Sequence, residues 1–303
     1  MKRSIQSKKE AWLHAVRLRT LPLALASIFA GSFLAQWQGS FRWEVLILAS
    51  FTTIFLQILS NLANDYGDSI HGADSSERKG PIRAVQSGLI TLQEMKRAMV
   101  LFGALSLLTG IFLIYIALPD WKYFLGFLAL GLAAIWAAIR YTSGKNPYGY
   151  AGLGDIFVFL FFGIVGVSGT YFLHALEVKP LILLIALSLG CFSTAVLNIN
   201  NIRDIDSDRL AGKLSIPVRI GRQNAILYHW ALVLLGNVSL LYFVLLNQTY
   251  FPLLAFFMFP WMVSISQGIQ SASSAADIDP YLKKMALSTL IWTLLFGFGL
   301  LLV

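Results

Sequence analysis

The chain has 303 residues, of which 57% are apolar and 13% are charged. Soluble domains carry about 25% charged residues, so this composition excludes an ordinary water-soluble domain and predicts a polytopic membrane protein. The net charge of +8 does not call for a nucleic-acid partner, because its distribution follows the predicted membrane topology described below. The single cysteine, Cys191, excludes an internal disulfide and a cysteine-based metal site, and we expect a buried, inert thiol.

Apolar runs separated by polar breaks predict an all-α bundle of nine transmembrane helices, since each crossing needs about 20 mainly apolar residues. The helices are expected near Leu21–Trp37, Val45–Asn64, Met95–Leu118, Tyr123–Tyr141, Asp155–Leu173, Leu181–Asn201, Ala225–Leu246, Phe251–Gln267 and Met285–Val303. They form one domain, residues 1–303, built as two four-helix pseudo-repeats and a ninth helix. Residues 1–19 lack the apolar run of a cleavable signal peptide and resemble no transit segment, so we expect a bacterial inner membrane.

Twenty of the 23 Lys and Arg residues fall on one side of this bundle, in the N-terminal segment and the even-numbered connections. The other side carries Arg42, Lys122 and Lys179. Positive residues in short loops mark the cytoplasmic side, so the N-terminus is predicted to be cytoplasmic. Two connections on that side are long, about residues 65–94 and 203–224, and are predicted to form a functional cap.

Each cap loop begins with a cluster of acids and amides. The clusters read Asn61-Leu-Ala-Asn64-Asp65-Tyr-Gly-Asp68 and Asn200-Asn201-Ile-Arg203-Asp204-Ile-Asp206-Ser-Asp208. Residues three or four apart share one helix face, so each cluster presents a stripe of oxygen donors. Carboxylates and amides without clustered His or Cys suit a hard cation such as Mg²⁺, which also takes water and phosphate oxygens.

Basic residues follow both clusters, which predicts phosphate binding beside the cation. They are Arg78, Lys79, Arg83, Arg209, Lys213, Arg219 and Arg222. Asp65 and Asp204 are 139 residues apart, and Asp68 and Asp208 are 140 apart, which indicates an internal repeat. Repeats in membrane proteins commonly place a site at their interface, here a central cavity open to the cytoplasm. The alternative is that these are solvated loop charges paired with each other.

Several strings resemble the UbiA-type intramembrane aromatic prenyltransferases, and the resemblance covers nearly the whole chain. They are Arg17-x-x-Thr20-Leu21-Pro22, Asn64-Asp65-x-x-Asp68, Gly80-Pro81-Ile-Arg83-Ala-Val-Gln-Ser87-Gly88, Tyr150-Ala-Gly152-Leu-Gly154-Asp155 and Asn200-Asn201-x-Arg203-Asp204-x-x-x-Asp208. Many members have an acid four residues after Asp68, where this chain has Gly72, with Asp74 two residues further on. This motif resembles the corresponding motif in the branch of the family that acts on 1,4-dihydroxy-2-naphthoate in menaquinone synthesis.

The resemblance implies that a polyprenyl group passes from its diphosphate to 1,4-dihydroxy-2-naphthoate, with loss of diphosphate and CO₂, giving demethylmenaquinol. It implies Mg²⁺ held by Asp65, Asp68, Asp204, Asp208 and Asn64. The helpers in binding the metal and diphosphate are expected to be Asn61, Asn200, Asn201, Arg78, Arg83 and Lys213.

Three further groups have candidate roles in that reaction. Asp155 is a candidate for orienting or deprotonating the ring hydroxyl, or is simply a carboxylate favoured at a helix N-terminus. Tyr141 and Lys145, four residues apart, could serve the aromatic acid or the phosphate. Aromatic side chains that could line a prenyl tunnel, or else face lipid and other helices, are Phe157, Phe159, Phe161, Phe162 and Tyr171.

Two other functions stay open at this point. A cation-coupled transporter would also use paired intramembrane acids, but these acids cluster at helix ends rather than at mid-membrane. The same chemistry could instead act on another acceptor, such as 4-hydroxybenzoate, homogentisate or a chlorin.

Overall fold

The structure is a computed structural model that describes residues 7–70, 84–85 and 87–303. This part of the chain contains no β-strand. Its α-helices are α1 Lys8–Val16, α2 Leu21–Trp37, α3 Trp43–Ile70, α4 Leu92–Ala117, α5 Trp121–Arg140, α6 Gly154–Val158, α7 Thr170–Ala175, α8 Ile182–Arg203, α9 Ile205–Leu210, α10 Ile216–Asn247, α11 Phe259–Ser271 and α12 Ala275–Leu301. Two 3₁₀ segments, Leu18–Thr20 and Phe251–Met258, precede α2 and α11, and a π-helical segment, Phe159–Gly169, joins α6 to α7.

Nine helical stretches in the described residues are long and apolar enough to cross a membrane, which confirms the predicted all-α bundle of nine spans. They are Lys8–Trp37, Trp43–Ile70, Leu92–Ala117, Trp121–Arg140, Gly154–Ala175, Ile182–Arg203, Ile216–Asn247, Phe251–Ser271 and Ala275–Leu301. The first stretch includes α1, which extends it beyond the predicted start at Leu21.

The predicted ends of three helices were wrong, and the error bears on the site. Helix α3 continues to Ile70, so Asp65 and Asp68 lie in its last turns rather than in a loop. Helices α10 and α12 begin at Ile216 and Ala275, nine and ten residues before their predicted starts. Hydropathy marks where the apolar run ends, whereas the helix itself ends at its cap: at α12, Ser274 and Asp277 form a capping box.

Both predicted cap-loop ranges contain helical residues, since α3 continues to Ile70 and α4 begins at Leu92. Most of residues 203–224 is helical, in α9 and the start of α10. In the first connection, residues 71–83 and 86 lie outside the described part of the chain.

Helix α8 is the centre of the bundle. It packs against α10, α12, α2 and the π-helical segment, and most of its side chains are buried. The π-helical segment approaches α8 closely at Gly163, where a Cβ atom would lie 2.6 Å from the Ala186 carbonyl oxygen. Helix α5 has only one buried residue, Ala137, so it lies at the periphery, where its apolar side chains suit contact with lipid. The buried α8 ends at the second acidic cluster and fixes its position.

Candidate active site

A large cavity of about 780 Å³ lies among α2, α3, α4, α5, α8 and the π-helical segment. Its polar end carries residues from both acidic clusters, together with Lys213. The cluster residues are Asn61, Asn64, Asp65, Asp68, Asn200 and Arg203. Much of the remaining wall is apolar and includes Ile28, Leu113, Phe127 and Phe161. The chain thus brings residues of its two acidic clusters together on the wall of a largely apolar cavity.

The carboxylates of the first cluster are buried, and each meets a group from a distant part of the chain. The Arg17 guanidinium donates to Asp65 Oδ1 at 2.5 Å, and the Tyr150 hydroxyl donates to Asp68 Oδ1 at 3.1 Å. Between them, Gly67 lies against the backbone of Thr142, where a Cβ atom would come within 2.6 Å of the carbonyl. Only glycine permits this approach of α3 to the segment after α5.

The two amides of the first cluster hydrogen-bond to neighbouring segments of the chain. Asn61 donates to the Val16 carbonyl at 2.8 Å and to Thr20 Oγ1 at 3.0 Å, while its own oxygen accepts from Gln57 at 3.2 Å. Asn64 Oδ1 accepts from the Thr142 hydroxyl at 3.2 Å. Asn61 therefore fastens the turn between α1 and α2 onto α3.

In the second cluster, Arg203 lies between several oxygen atoms. Its Nε and Nη2 atoms donate to the two oxygens of Asp204 at 2.8 and 2.6 Å, a bidentate pair. Nη2 also donates to Asn200 Oδ1 at 2.8 Å, and Nη1 donates to Asp279 Oδ1 at 2.5 Å. Arg203 and Asn200 line the cavity, and Asp204 lies directly behind Arg203.

Asp208 forms a buried ion pair with Lys213. The Lys213 Nζ atom lies 3.3 Å from Asp208 Oδ2, and the Ser215 hydroxyl donates to the same oxygen at 3.2 Å. Burial alone would lower the pKa of Lys213, but the facing carboxylates, Asp208 foremost, raise it above its ordinary value. Lys213 therefore stays protonated on the cavity wall.

The carboxylates of the two clusters are close enough to repel one another. Burial raises the pKa of Asp208, and the charges of Asp204 and Asp68 raise it further, against the opposing effect of Lys213. The repulsion between neighbouring carboxylates is offset when they share bound cations. Electrostatics therefore favour a cation at this end of the cavity.

The oxygen donors fit Mg²⁺. Asn201 Oδ1 is buried beside the cavity wall rather than on it, and it has no hydrogen-bond partner among the described residues, so its oxygen can still accept a donor or a cation. Within residues 7–70, 84–85 and 87–303, no three His, Cys, Asp or Glu side chains lie close enough to hold a metal alone. Mg²⁺ commonly uses one or two carboxylates, with water and substrate phosphate completing its shell, so a complete protein cage is not required.

The other predicted site residues occupy different positions. Tyr141 lines the cavity, and burial raises the pKa of its phenol, with the carboxylates of Asp155, Asp208 and Asp68 adding to the effect against Lys213. Asp155 is buried and does not line the cavity, and its carboxylate accepts a hydrogen bond from the Tyr228 hydroxyl at 3.2 Å. Lys145 is exposed and does not line the cavity.

Two further sets of predicted residues can be placed in the same way. Arg78 and Arg83 lie outside the described residues. Of the predicted tunnel aromatics, Phe157, Phe161 and Phe162 line the cavity, while Phe159 packs against the core around α8 and Tyr171 donates to Glu177. Sequence spacing alone could not separate these two groups.

Sequence reasoning assigned no role to three charged residues that the structure places at the polar end. Arg17 and Arg203 stood in the quoted strings but were not recognised as partners of Asp65 and Asp204. Asp279, which meets both Arg203 and Arg19, was missed entirely. The available signal was charge balance, since an arginine at the end of an apolar helix needs an acid nearby.

Comparison with known proteins identifies the family. The profile of the UbiA prenyltransferase family matches residues 24–290. The chain belongs to the UbiA prenyltransferase family. Both acidic clusters and Lys213 lie inside the matched region.

Similar proteins cover nearly the full length of this UbiA family member. The 1,4-dihydroxy-2-naphthoate octaprenyltransferase of Escherichia coli is 44% identical over 97% of this chain and 96% of its own length. The protein of the same name from Haemophilus influenzae is 41% identical over 99% of this chain and 98% of its own. The one from Mycobacterium tuberculosis is 36% identical over 93% of this chain and 94% of its own.

Solved structures share the fold. The apo structure of a UbiA homolog from Aeropyrum pernix matches with a TM-score of 0.68, covering 94% of this chain and 98% of that one at 16% identity. A UbiA homolog from Archaeoglobus fulgidus, bound to DMAPP and Mg²⁺, matches with a TM-score of 0.62 over 96% of this chain and 99% of that one at 17% identity. At these identities the likeness concerns the fold.

Proposed function

We propose that this chain transfers a polyprenyl group from polyprenyl diphosphate to 1,4-dihydroxy-2-naphthoate, releasing diphosphate and CO₂ and forming demethylmenaquinol. The observation that carries the proposal is one cavity whose polar end is lined by residues of both acidic clusters and by Lys213, while much of its remaining wall is apolar. The relatives at 41–44% identity over nearly the full length support the same acceptor.

The polar end would bind the diphosphate. Asp65, Asp68, Asp204 and Asp208, with Asn64, would hold Mg²⁺, aided by the buried oxygen of Asn201. Bound Mg²⁺ supplies Lewis-acid neutralisation of the diphosphate charge. Lys213, protonated on the cavity wall, donates to the diphosphate oxygens and stabilises the leaving charge, together with Arg78 and Arg83. Asn61 and Asn200 act indirectly: Asn61 holds the turn before α2 in place, and Asn200 accepts a hydrogen bond from the Arg203 guanidinium.

The apolar part of the cavity would hold the prenyl chain and exclude water. When the bond between the prenyl carbon and the diphosphate oxygen breaks, the resulting allylic cation needs protection from hydrolysis. Phe157, Phe161 and Phe162 on the wall offer aromatic faces that attract a cation.

The acceptor then completes the reaction without an oxidant or reductant. The ring carbon that bears the carboxylate forms the new bond to the prenyl carbon. The bond from that ring carbon to the carboxylate breaks, its electron pair restores the aromatic ring, and CO₂ leaves.

We propose different parts for the remaining predicted residues. Tyr141, on the cavity wall, contacts the acceptor or the diphosphate. Asp155 lies behind the wall and acts as a positioning residue through its charge near Tyr141. Lys145, exposed near the polar end, would attract the anionic substrates before they bind.

We propose that the polar end faces the cytoplasm of a bacterium and that the bundle lies in its inner membrane. The excess of Lys and Arg on that side supports this orientation. Cysteines introduced at Lys145 and Lys179, tested in intact cells with a membrane-impermeant maleimide, would check it: we expect labelling at position 179 only. Labelling at position 145 alone would reverse the orientation.

An acceptor panel tests the function. Purified protein with farnesyl diphosphate and Mg²⁺ is offered 1,4-dihydroxy-2-naphthoate, 4-hydroxybenzoate or homogentisate, and products are identified by mass. We expect a prenylated product from the naphthoate alone. Prenylation of another ring would support prenyl transfer but assign a different acceptor. If folded protein gives no product with any ring, the result would favour a transporter.

A further inference from the structure

Asp279 lies in the first turns of α12, far in sequence from both acidic clusters, yet it lines the polar end of the cavity. Its carboxylate accepts from Arg203 Nη1 at 2.5 Å and from Arg19 Nη1 at 3.2 Å. It therefore bridges two guanidinium groups, one at the end of α8 and one just before α2.

Arg203 transmits this contact to the second cluster. Its other donors hold both oxygens of Asp204 and the oxygen of Asn200. A guanidinium is a rigid planar fork, so fixing one of its ends fixes the direction of the others. The contact with Asp279 therefore contributes to the orientation in which Arg203 holds Asp204 and Asn200.

Charge leads to the same conclusion. The Arg203 side chain is only 3% exposed, and the neighbouring Arg19 side chain is 34% exposed. Without Asp279, these two cations would face each other, and Asp204 would be the one carboxylate among the described residues still hydrogen-bonded to either of them. Arg203 would then turn away from Arg19 and move Asp204 with it, because a buried charge that loses its partner is costly.

We infer that Asp279 is a positioning residue for the second acidic cluster: it anchors Arg203, which orients Asp204 and Asn200 for binding the Mg²⁺–diphosphate group. The inference rests on the proposed function and adds a residue from the last helix to the site. Groups that orient ligand-bearing side chains typically contribute tenfold to 100-fold to metal affinity.

The same network ties the first helix to both clusters. Arg19 and Arg17 belong to one turn, and Arg17 holds Asp65 of the first cluster. Asn61 fastens that turn by donating to the Val16 carbonyl and to Thr20 Oγ1. Asp279 is thus the point at which the turn before α2 meets the second cluster.

The test compares Asp279→Asn with Asp277→Asn, a matched control two residues away. Asp277 is exposed and bound to Ser274 in the capping box of the same helix. The Tm of detergent-purified protein is measured with geranyl diphosphate at fixed concentration while MgCl₂ is titrated. We expect Asp279→Asn to raise the MgCl₂ concentration for the half-maximal Tm increase by about tenfold or more. Asp277→Asn should leave that concentration unchanged, and Asp279→Glu should recover part of the loss.

A second measurement separates positioning from general stability. Because Asp279 acts through Arg203, adding Arg203→Gln to Asp279→Asn should shift the half-maximal MgCl₂ concentration much less than Arg203→Gln does alone. If Asp279→Asn leaves the half-maximal MgCl₂ concentration unchanged, or if the effects are fully additive in the double variant, the inference about Asp279 is wrong. The proposed function would not be affected by either result. If the Tm of the wild-type protein does not change with MgCl₂ and geranyl diphosphate, both the inference about Asp279 and the proposed function are wrong.

Discussion

The guanidinium of Arg17 lies 2.5 Å from the carboxylate of Asp65, although 48 residues separate them in the chain. Arg17 adopts a left-handed backbone conformation, with φ 51° and ψ 59°, which is uncommon for a residue other than glycine. Its carbonyl accepts from the Thr20 hydroxyl, and Asn61 holds Val16 and Thr20 on either side. The turn before α2 is thereby folded over the first acidic cluster.

Replacing Arg17 tests how much this contact matters. We expect Arg17→Gln to lower the free energy of unfolding by about 3 kcal/mol, because it removes the arginine charge from an ion pair with the buried Asp65. MgCl₂ should raise the Tm of this variant more than that of the wild type, since a bound cation can replace the arginine charge beside Asp65. Arg97→Gln, at an exposed position of α4, is the matched control. Equal Tm values for the two variants would show that the Arg17–Asp65 ion pair does not contribute to stability.

Lys213 is the cation that we expect to contact diphosphate directly. Lys213→Met should raise the KM for prenyl diphosphate by about tenfold or more, because a charged hydrogen bond to the leaving group is lost. Arg209→Met removes an exposed charge from the end of α9 nearby and should leave the KM unchanged. Steady-state kinetics with farnesyl diphosphate measure both. A KM unchanged in the Lys213 variant would assign this lysine to pairing with Asp208 alone.

Gly67 controls the approach of α3 to Thr142. Gly67→Ala would place a methyl group 2.6 Å from the Thr142 backbone, which cannot be relieved by moving a flexible side chain. We expect a loss of about 1–3 kcal/mol in the free energy of unfolding, with a drop in activity because Asp65 and Asp68 flank the shifted position. Gly103→Ala, on α4, meets only a Leu59 methyl at 3.9 Å and should be tolerated. Thermal unfolding and turnover of both variants check this, and full activity in Gly67→Ala would contradict it.

The membrane fold could be predicted from the sequence because it rests on one strong local signal. Nine apolar runs correspond to the nine spans found in the described residues, and the two acidic clusters lie at helix ends. The extension of α3 through Asp65 to Ile70 could not be read from hydropathy, since the helix outlasts its apolar run. The π-helical geometry of Phe159–Gly169 likewise depends on packing against α8.

The partners of the charged groups could not be predicted for a different reason. Asp279 meets Arg203 across 76 residues and Arg19 across 260. No local pattern encodes such contacts, because the order in which helices pack decides them. The residue types in the clusters indicated the chemistry, but the geometry of the bundle was needed to show that Asp204 and Asp208 lie behind Arg203 and Lys213.

The apolar part of the cavity should limit the length of the prenyl chain. Gly131 of α5 lines the cavity and has no neighbouring atom within 4 Å of an added Cβ, so Gly131→Phe would fill open space. We expect this variant to use geranyl diphosphate normally and to lose activity with long-chain prenyl diphosphates. Gly126→Phe, at an exposed position of the same helix outside the cavity, is the control. Unchanged use of long chains by Gly131→Phe would place the prenyl chain elsewhere.

The most direct test of the account follows the carboxylate of the acceptor. Purified protein is incubated with a polyprenyl diphosphate, Mg²⁺ and 1,4-dihydroxy-2-naphthoate carrying ¹³C in its carboxylate, with and without EDTA. We expect one labelled CO₂ for each prenyl group transferred, and neither product when EDTA is present. A prenylated product that keeps the label, or transfer that continues in EDTA, would contradict the proposed reaction.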